Sequence, residues 1–291
     1  MTAPIAALLL AAVSTEVTEH RNLEYGDHVR QRLDLSVPAG EGPFPCVVFF
    51  HGGGFFMGDK SMHEKKRKAA LLEAGVAFAT ANYRLTDSGP YPQPFEDAAR
   101  AVQFLRASAA EYGLDPARFA ADGHSAGGAM ALWLALHEDL ADPAAVDPVL
   151  RQSTRLTCVA AGHCLPTLDY GQLCDAFGCR SLVEHPAAYT LFAVGSGESR
   201  QTPRVARLIQ DASPLSHLSA GDPPVYLYYG VRPVRVTPQS NPNLWVHHPA
   251  AGRPLVDAAK RVKVSVQHEY PGGRTRDGSA ARFLIRRLTG D

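Results

Sequence analysis

Gly123-His124-Ser125-Ala126-Gly127-Gly128 follows directly on the strand-like run Arg118 to Asp122 and leads directly into Ala126 to His137, whose apolar residues recur at helical spacing. A serine with glycines two residues away on either side, where a strand meets a helix, is the G-x-S-x-G pattern in the context it needs. The turn is so tight that only glycine flanks leave room for it. It lifts the serine hydroxyl clear of the sheet and sets it at a helix N-terminus, where the Ala126 amide can donate to an oxyanion. Ser125 is therefore expected to be a nucleophile on strained backbone. A glycine-rich turn with an incidental serine is the plainer alternative, and the strand before and helix after count against it.

Outward from this turn, strand and helix signals alternate. Val29 to Val37 alternates apolar and polar residues, as a half-buried strand should. Cys46 to Phe50, Val76 to Tyr83, Leu156 to Ala161 and Val225 to Tyr229 are short apolar runs of the kind buried on both faces. Glu64 to Ala74, the amphipathic Pro94 to Tyr112, Pro254 to Val262 and Ala280 to Leu288 read as helices, and Lys263 to Tyr270 as a last strand. Such βαβα order predicts an α/β fold with a mostly parallel central sheet and helices on both faces. Residues 1–291 then make one domain. Pro166 to Ala220 interrupts the pattern and is expected to be a cap-like insertion, over about residues 166–220, above the carboxyl ends of the strands, where open α/β sheets bind ligands. Val231 to Ala251, with four prolines, reads as irregular.

A second glycine cluster, His51-Gly52-Gly53-Gly54-Phe55, follows the buried run Cys46 to Phe50. Glycines let backbone amides approach a ligand closely. Acyl transfer needs fixed donors ~3 Å from the developing oxyanion. Gly53 and Gly54, with Ala126, are the candidates. A phosphate loop would run into a helix with Lys or Ser/Thr, whereas this one continues Phe55-Phe56-Met57-Gly58-Asp59. His51 is read as a structural hydrogen-bonder beneath the loop.

Together these motifs resemble the α/β-hydrolase superfamily, in its hormone-sensitive-lipase-like and acetyl-xylan or feruloyl esterase-like branch. Asn82-Tyr83-Arg84-Leu85, the helix from Tyr91 to Val102, the turn Tyr112 to Arg118, Ser213-Pro214-Leu215-Ser216 and Pro223-Pro224-Val225 extend the similarity over roughly residues 17 to 230. The resemblance implies hydrolysis of short-chain or acetyl esters, including those of carbohydrates, by a Ser-His-Asp triad with no cofactor and no metal. A small-molecule ester would be the partner.

The triad partners are not where the resemblance places them. No Asp or Glu occurs between Asp222 and Asp257, although the acid should follow Gly230. No histidine follows His268, although Tyr270-Pro271-Gly272-Gly273 is the turn that should precede one. His163, at the end of the strand after the nucleophile helix, is one replacement base, with Asp169 as an orienting acid. His247 and His248, in the irregular segment, are others, and His268 is the last. Two readings follow: a serine esterase with a relocated triad, or a degraded hydrolase that keeps the turn as architecture and binds a ligand. Elsewhere Asp97 is expected to cap its helix or pair with an arginine. Phe55-Phe56 and Tyr228-Tyr229 should pack the core or line an acyl pocket, and Arg274 and Arg276 should form a solvated turn.

Composition narrows the classes. The 291 residues carry 29 Lys+Arg against 29 Asp+Glu, so there is no basic field for nucleic acid. No stretch approaches the ~20 apolar residues of a membrane span. Pro4 to Val13 has the length of a signal-peptide core but no preceding Lys or Arg and no clear A-x-A site after it, so a short apolar helix docked on the core is expected ahead of a signal peptide or a disordered start. Cytoplasmic and exported locations both stay open. Cys46 and Cys158 read as buried apolar residues. Cys164, Cys174 and Cys179 fit no zinc spacing, and a Cys174–Cys179 disulfide would need an exported protein.

Overall fold

A computed structural model describes residues 16–195 and 202–290, so the apolar run Pro4 to Val13 lies outside the described residues. The elements in chain order are β1 (Thr18–Glu24), β2 (Arg32–Val37), β3 (Phe44–Phe50), α1 (Lys65–Glu73), β4 (Ala77–Ala81), α2 (Gln93–Ala107), α3 (Ala109–Tyr112), β5 (Leu114–His124), α4 (Ala126–Leu136) and β6 (Cys158–Gly162). There follow α5 (Tyr170–Phe177), α6 (Ala187–Leu191), α7 (Pro203–Ala212), α8 (Pro214–His217), β7 (Val225–Tyr228), α9 (Pro242–Val246), a 3-10 turn (Pro249–Gly252), α10 (Arg253–Val262), β8 (Val266–Glu269) and α11 (Ala280–Thr289).

The strands form one sheet in the order β1-β2-β4-β3-β5-β6-β7-β8. β1 and β2 are antiparallel to their neighbours, and every pair from β4 to β8 is parallel. This is the α/β-hydrolase fold. Alternate residues of the central strands feed opposite layers, as the pleat requires. Val48, Phe50, Ala121, Val159 and Leu227 meet α2 and α4 on one face. Val47, Phe49, Ala120, Cys158 and Tyr226 meet Leu71 of α1 and Phe283, Leu284 and Leu288 of α11 on the other. A third cluster joins Leu173 and Cys174 of α5 to Trp245 and Val246 of α9, above the sheet.

β1 escapes a reading based on alternation because Thr18–Glu24 (TEHRNLE) is polar almost throughout and buries no residue fully. Its order comes from pairing with β2, from Thr18 opposite Val37 to Glu24 opposite Arg32. The expected helix Pro94 to Tyr112 breaks at Ser108, which ends α2 and starts α3. Asp97 is fully buried on α2. It pairs with Arg84 at 2.6 Å and accepts from the Arg84 amide and the Gln31 side chain. Val231 to Ala251, expected to be irregular, contains α9 and the 3-10 turn, each begun by Pro at its first positions.

The register lines up the carboxyl ends of the strands that matter. Phe50 pairs with Gly123, His124 with Gly162, and Gly162 with Tyr228. The loops after β3, β5, β6 and β7 therefore open on one edge of the sheet.

Candidate active site

Ser125 stands between β5 and α4 at φ 54°, ψ −117°, a conformation that a non-glycine residue rarely adopts. The surrounding glycines show what holds it there. A Cβ on Gly123 would lie 2.2 Å from the Gly127 carbonyl oxygen, and one on Gly127 would lie 2.0 Å from that of Phe50. One on Gly128 would meet Cys164 at 2.9 Å. α4 is thus pressed against β3 and β6 with no space for side chains at its start. The Ser125 amide donates to the Gly162 carbonyl at 2.8 Å and its carbonyl accepts from Ala129 at 3.0 Å, pinning the turn at both ends.

Gly52, Gly53 and Gly54 cross in front of this turn, where a Cβ on Gly52 would sit 3.3 Å from that of Ser125. Gly53 and Gly54 have φ of 118° and 60°. Their carbonyls and amides divide the work: the Gly53 carbonyl accepts from Phe56 and Met57, closing the loop. The Gly53 and Gly54 amides donate to no backbone carbonyl of the described residues, and Ala126, first in its helix, has no preceding turn to donate to. All three border the same cavity.

His51 lies beneath, fully buried and stacked on Tyr83 at 4.3 Å between ring centres. Arg30 can only donate, so His51 accepts at Nε2 (3.4 Å) and donates from Nδ1 to the Gly52 carbonyl at 2.7 Å. Burial pushes its pKa down to about 4. It props the glycine loop and does not face the cavity.

The histidine that reaches Ser125 is His247, whose Nε2 lies 3.0 Å from Oγ. Asn241 caps α9 by accepting from the Asn243 amide, and His247 follows the last turn of that helix. Burial, then the neighbouring His163 and His185, hold the His247 pKa down at about 4, against a hydrogen bond from its ring to the Asn243 carbonyl. Among the described residues, no carboxylate is one of the charges acting on it. Asn243 is itself fixed, since its side-chain oxygen accepts from His185 Nε2 at 3.2 Å.

The other sequence candidates go elsewhere. His163 directly follows β6 at φ 50° and lines the cavity, but its Nε2 accepts from the Gly230 amide at 3.2 Å. His248 is buried and turns away. Its Nδ1 accepts from Ala250 to cap the 3-10 turn, and its Nε2 faces the Val234 amide. His268 packs between Tyr229 and Tyr270 on β8, with Nε2 buried and without a hydrogen-bond partner among the described residues. Asp169 is spent as the N-cap of α5, accepting from Gln172. So the sequence pair His163 with Asp169 does not assemble at Ser125, nor do His248 and His268. Tyr228 turns to the other face of the sheet, where its hydroxyl takes part with Arg67 and the buried Asp122, 2.6 Å from that arginine. The five cysteines are free thiols.

Ser125, His247, His163, His124, Gly53 and Gly54 border a cavity of about 360 Å³. Its remaining wall is largely hydrocarbon, with Phe55, Leu168, Leu191, Phe192 and Trp245 inside and the exposed Phe56, Met57 and Met62 at the rim. Phe55, at φ 66°, is a third strained residue beside Ser125 and His163 on one cavity.

The BD-FAE family model matches residues 33–245. A carboxylesterase of Mycobacterium tuberculosis is 34% identical over 113 residues, which cover 38% of this chain and 35% of that relative. A probable isoprenylcysteine alpha-carbonyl methylesterase of Arabidopsis thaliana is 27% identical over 72% of this chain, spanning 43% of its own length. The chain thus spans well under half of each of these curated relatives. Among solved structures, a truncated carbohydrate esterase from gut microbiota superposes with TM-score 0.71 at 17% identity, covering 96% of this chain and 99% of the other.

Proposed function

Because this chain belongs to the BD-FAE family of α/β-hydrolases, we propose that it hydrolyses carboxylic esters by nucleophilic attack of Ser125, with His247 as general base. The observation that carries the reading is the 3.0 Å contact between Ser125 Oγ and His247 Nε2, at a turn facing the Gly53, Gly54 and Ala126 amides. The relatives named as esterases agree with it.

The chemistry follows from the geometry. Oγ attacks the ester carbonyl while its proton passes to Nε2. The carbonyl oxygen becomes an oxyanion held by the amides of Gly53, Gly54 and Ala126, whose positions are set before reaction. Collapse releases the alcohol, which takes the proton from His247, and a water molecule repeats the cycle on the acyl-serine. The Asn243 backbone beside the ring favours a proton on the far nitrogen, which leaves the Nε2 lone pair for Ser125. A carbonyl orients the ring but carries no full charge to stabilise the imidazolium. Turnover is therefore slower than in a site with a carboxylate behind the histidine.

The cavity sets the substrate. At about 360 Å³ it lies near the low end of small-molecule sites, ~300–1,000 Å³. Its hydrocarbon wall favours an uncharged ester with a short to medium aliphatic acyl chain. The alternative of a degraded, ligand-binding hydrolase rested on the missing acid and the missing histidine; the place of His247 beside Ser125 and the esterase names of the relatives favour the enzyme over it. Incubation with a fluorophosphonate probe, then turnover of p-nitrophenyl acetate, butyrate and hexanoate, tests the proposal. The native chain should label, prefer the longer two esters, and lose about 10³-fold or more in kcat on Ser125→Ala. Labelling that persists in Ser125→Ala would place the nucleophile elsewhere.

A further inference from the structure

At the far end of the nucleophile helix, remote from the cavity, three potential ligands converge from separate elements. His137 closes α4, Asp211 lies in the last turn of α7, and His217 is the last residue of α8. One donor atom from each lies within 4.8 Å of the other two. We propose that these three side chains form a binding site for a divalent transition-metal ion, zinc above all, which staples α4 to α7 and α8.

The bonds around the cluster leave it primed for a cation. Nδ1 of His137 lies 3.0 Å from the Glu138 carbonyl, and Nε2 of His217 lies 2.6 Å from that of Asp211. A carbonyl only accepts, so each of these nitrogens bears the proton. The remaining nitrogens, Nε2 of His137 and Nδ1 of His217, are then the lone-pair atoms. On Asp211 the Tyr91 hydroxyl donates to Oδ2 at 2.6 Å, and Oδ1 is not used by that bond. Two imidazoles and a carboxylate, each with its second polar atom tied to a carbonyl or hydroxyl, is the arrangement that orients metal ligands.

The supporting frame is aromatic. Trp133 lies 4.3 Å from the His137 ring and 6.1 Å from the His217 ring, and its Nε1 donates to the same Asp211 carbonyl at 2.9 Å. The two histidine rings are themselves 4.5 Å apart. Tetrahedral bonds of ~2.0–2.1 Å put donors ~3.4 Å from one another, inside the 4.8 Å within which these side chains already lie, so the three must turn inward to hold an ion. Imidazole with one carboxylate suits zinc, cobalt or copper; calcium and magnesium want oxygen ligands. α4 has 11 residues, so at ~1.5 Å per residue the ion lies ~16 Å from Ser125 and takes no part in ester chemistry.

Trp133 and Trp245 are the two tryptophans of the chain, which makes Trp133 a built-in reporter once Trp245→Phe removes the other. Cobalt(II) added to the Trp245→Phe protein should quench Trp133 fluorescence saturably, and zinc should displace it. Zinc at about a hundredfold excess over its Kd should raise the native Tm by roughly 5 °C. Asp211→Asn and His217→Gln, which keep the shapes of the side chains, should each weaken binding at least about tenfold. Esterase turnover at apo and zinc-loaded protein should match in these variants, showing that the fold is intact. Absence of saturable quenching would overturn the proposal, and so would unchanged affinity in the His137→Gln/His217→Gln double variant, which would locate the ion at other side chains.

Discussion

Ser125 and His247 meet at 3.0 Å, yet they arrive there on backbones of opposite character. The Ser125 turn is defined by exclusion: Gly123, Gly127 and Gly128 each stand where a Cβ would come within 3.0 Å of a neighbour, two of them against backbone oxygens. His247 is defined by reach. It follows a five-residue helix in a proline-broken segment, with His124, His163 and His185 around it. A Cβ on Gly230, where that segment leaves the sheet, would meet only His163 at 3.1 Å. The Ser125 side tolerates one arrangement of residue types, whereas the His247 side needs only an imidazole on a loop long enough to arrive.

The largest test of this contrast is a pair of alanines. Gly127→Ala should cost about 3 kcal/mol or more in denaturant unfolding, because the added methyl meets main chain that cannot move aside. Gly230→Ala should stay within about 1 kcal/mol of the native chain, since a ring can shift. Equal costs would erase the difference between the two sides.

The next test is pH. Burial holds His51, His163, His247 and His268 at about 4, below the ordinary 6.5. The unfolded chain binds protons at these sites first, so stability falls as pH drops through the window from 6.5 to about 4. His247 stays neutral across the same window, as the proposed base must. kcat/KM should therefore show no titration near pH 6.5 and should fall below about pH 5 together with the circular-dichroism signal of the fold. A limb centred near pH 6.5 in folded protein would mean that the base is not held as described.

The smallest effect concerns the neighbour. His248→Ala removes the cap on the 3-10 turn and should cost about 1 kcal/mol, measured by thermal unfolding, while kcat/KM stays within about threefold of native.

How much the sequence disclosed follows the same division. Close packing writes itself into composition: glycine is forced at 123, 127 and 128, and the short apolar runs are forced where a strand is buried on both faces. The mostly parallel character of the sheet and the position of the turn were legible for that reason; the strand order was not read from the sequence. β1 was not, because no residue of it is buried. Among the histidines, His247 and His248 share one segment, and nothing in their spacing tells which faces inward. The choice is made by the one turn of α9 between Asn241 and Val246, which ends with His247 toward the cavity and His248 bonded to Ala250. A starting Asn-Pro, read as cap and first helical residue, was the available signal. Asp169 misled for a similar reason, since a capping aspartate and a catalytic one look alike in sequence.

The account depends on which imidazole takes the serine proton, and kcat for p-nitrophenyl butyrate in four single variants measures it. His247→Ala should lower kcat by about 10²–10⁴-fold with its circular dichroism unchanged, while His163→Ala, His248→Ala and His268→Ala keep most of theirs. Native turnover in folded His247→Ala, with the loss appearing in one of the other three, would contradict it.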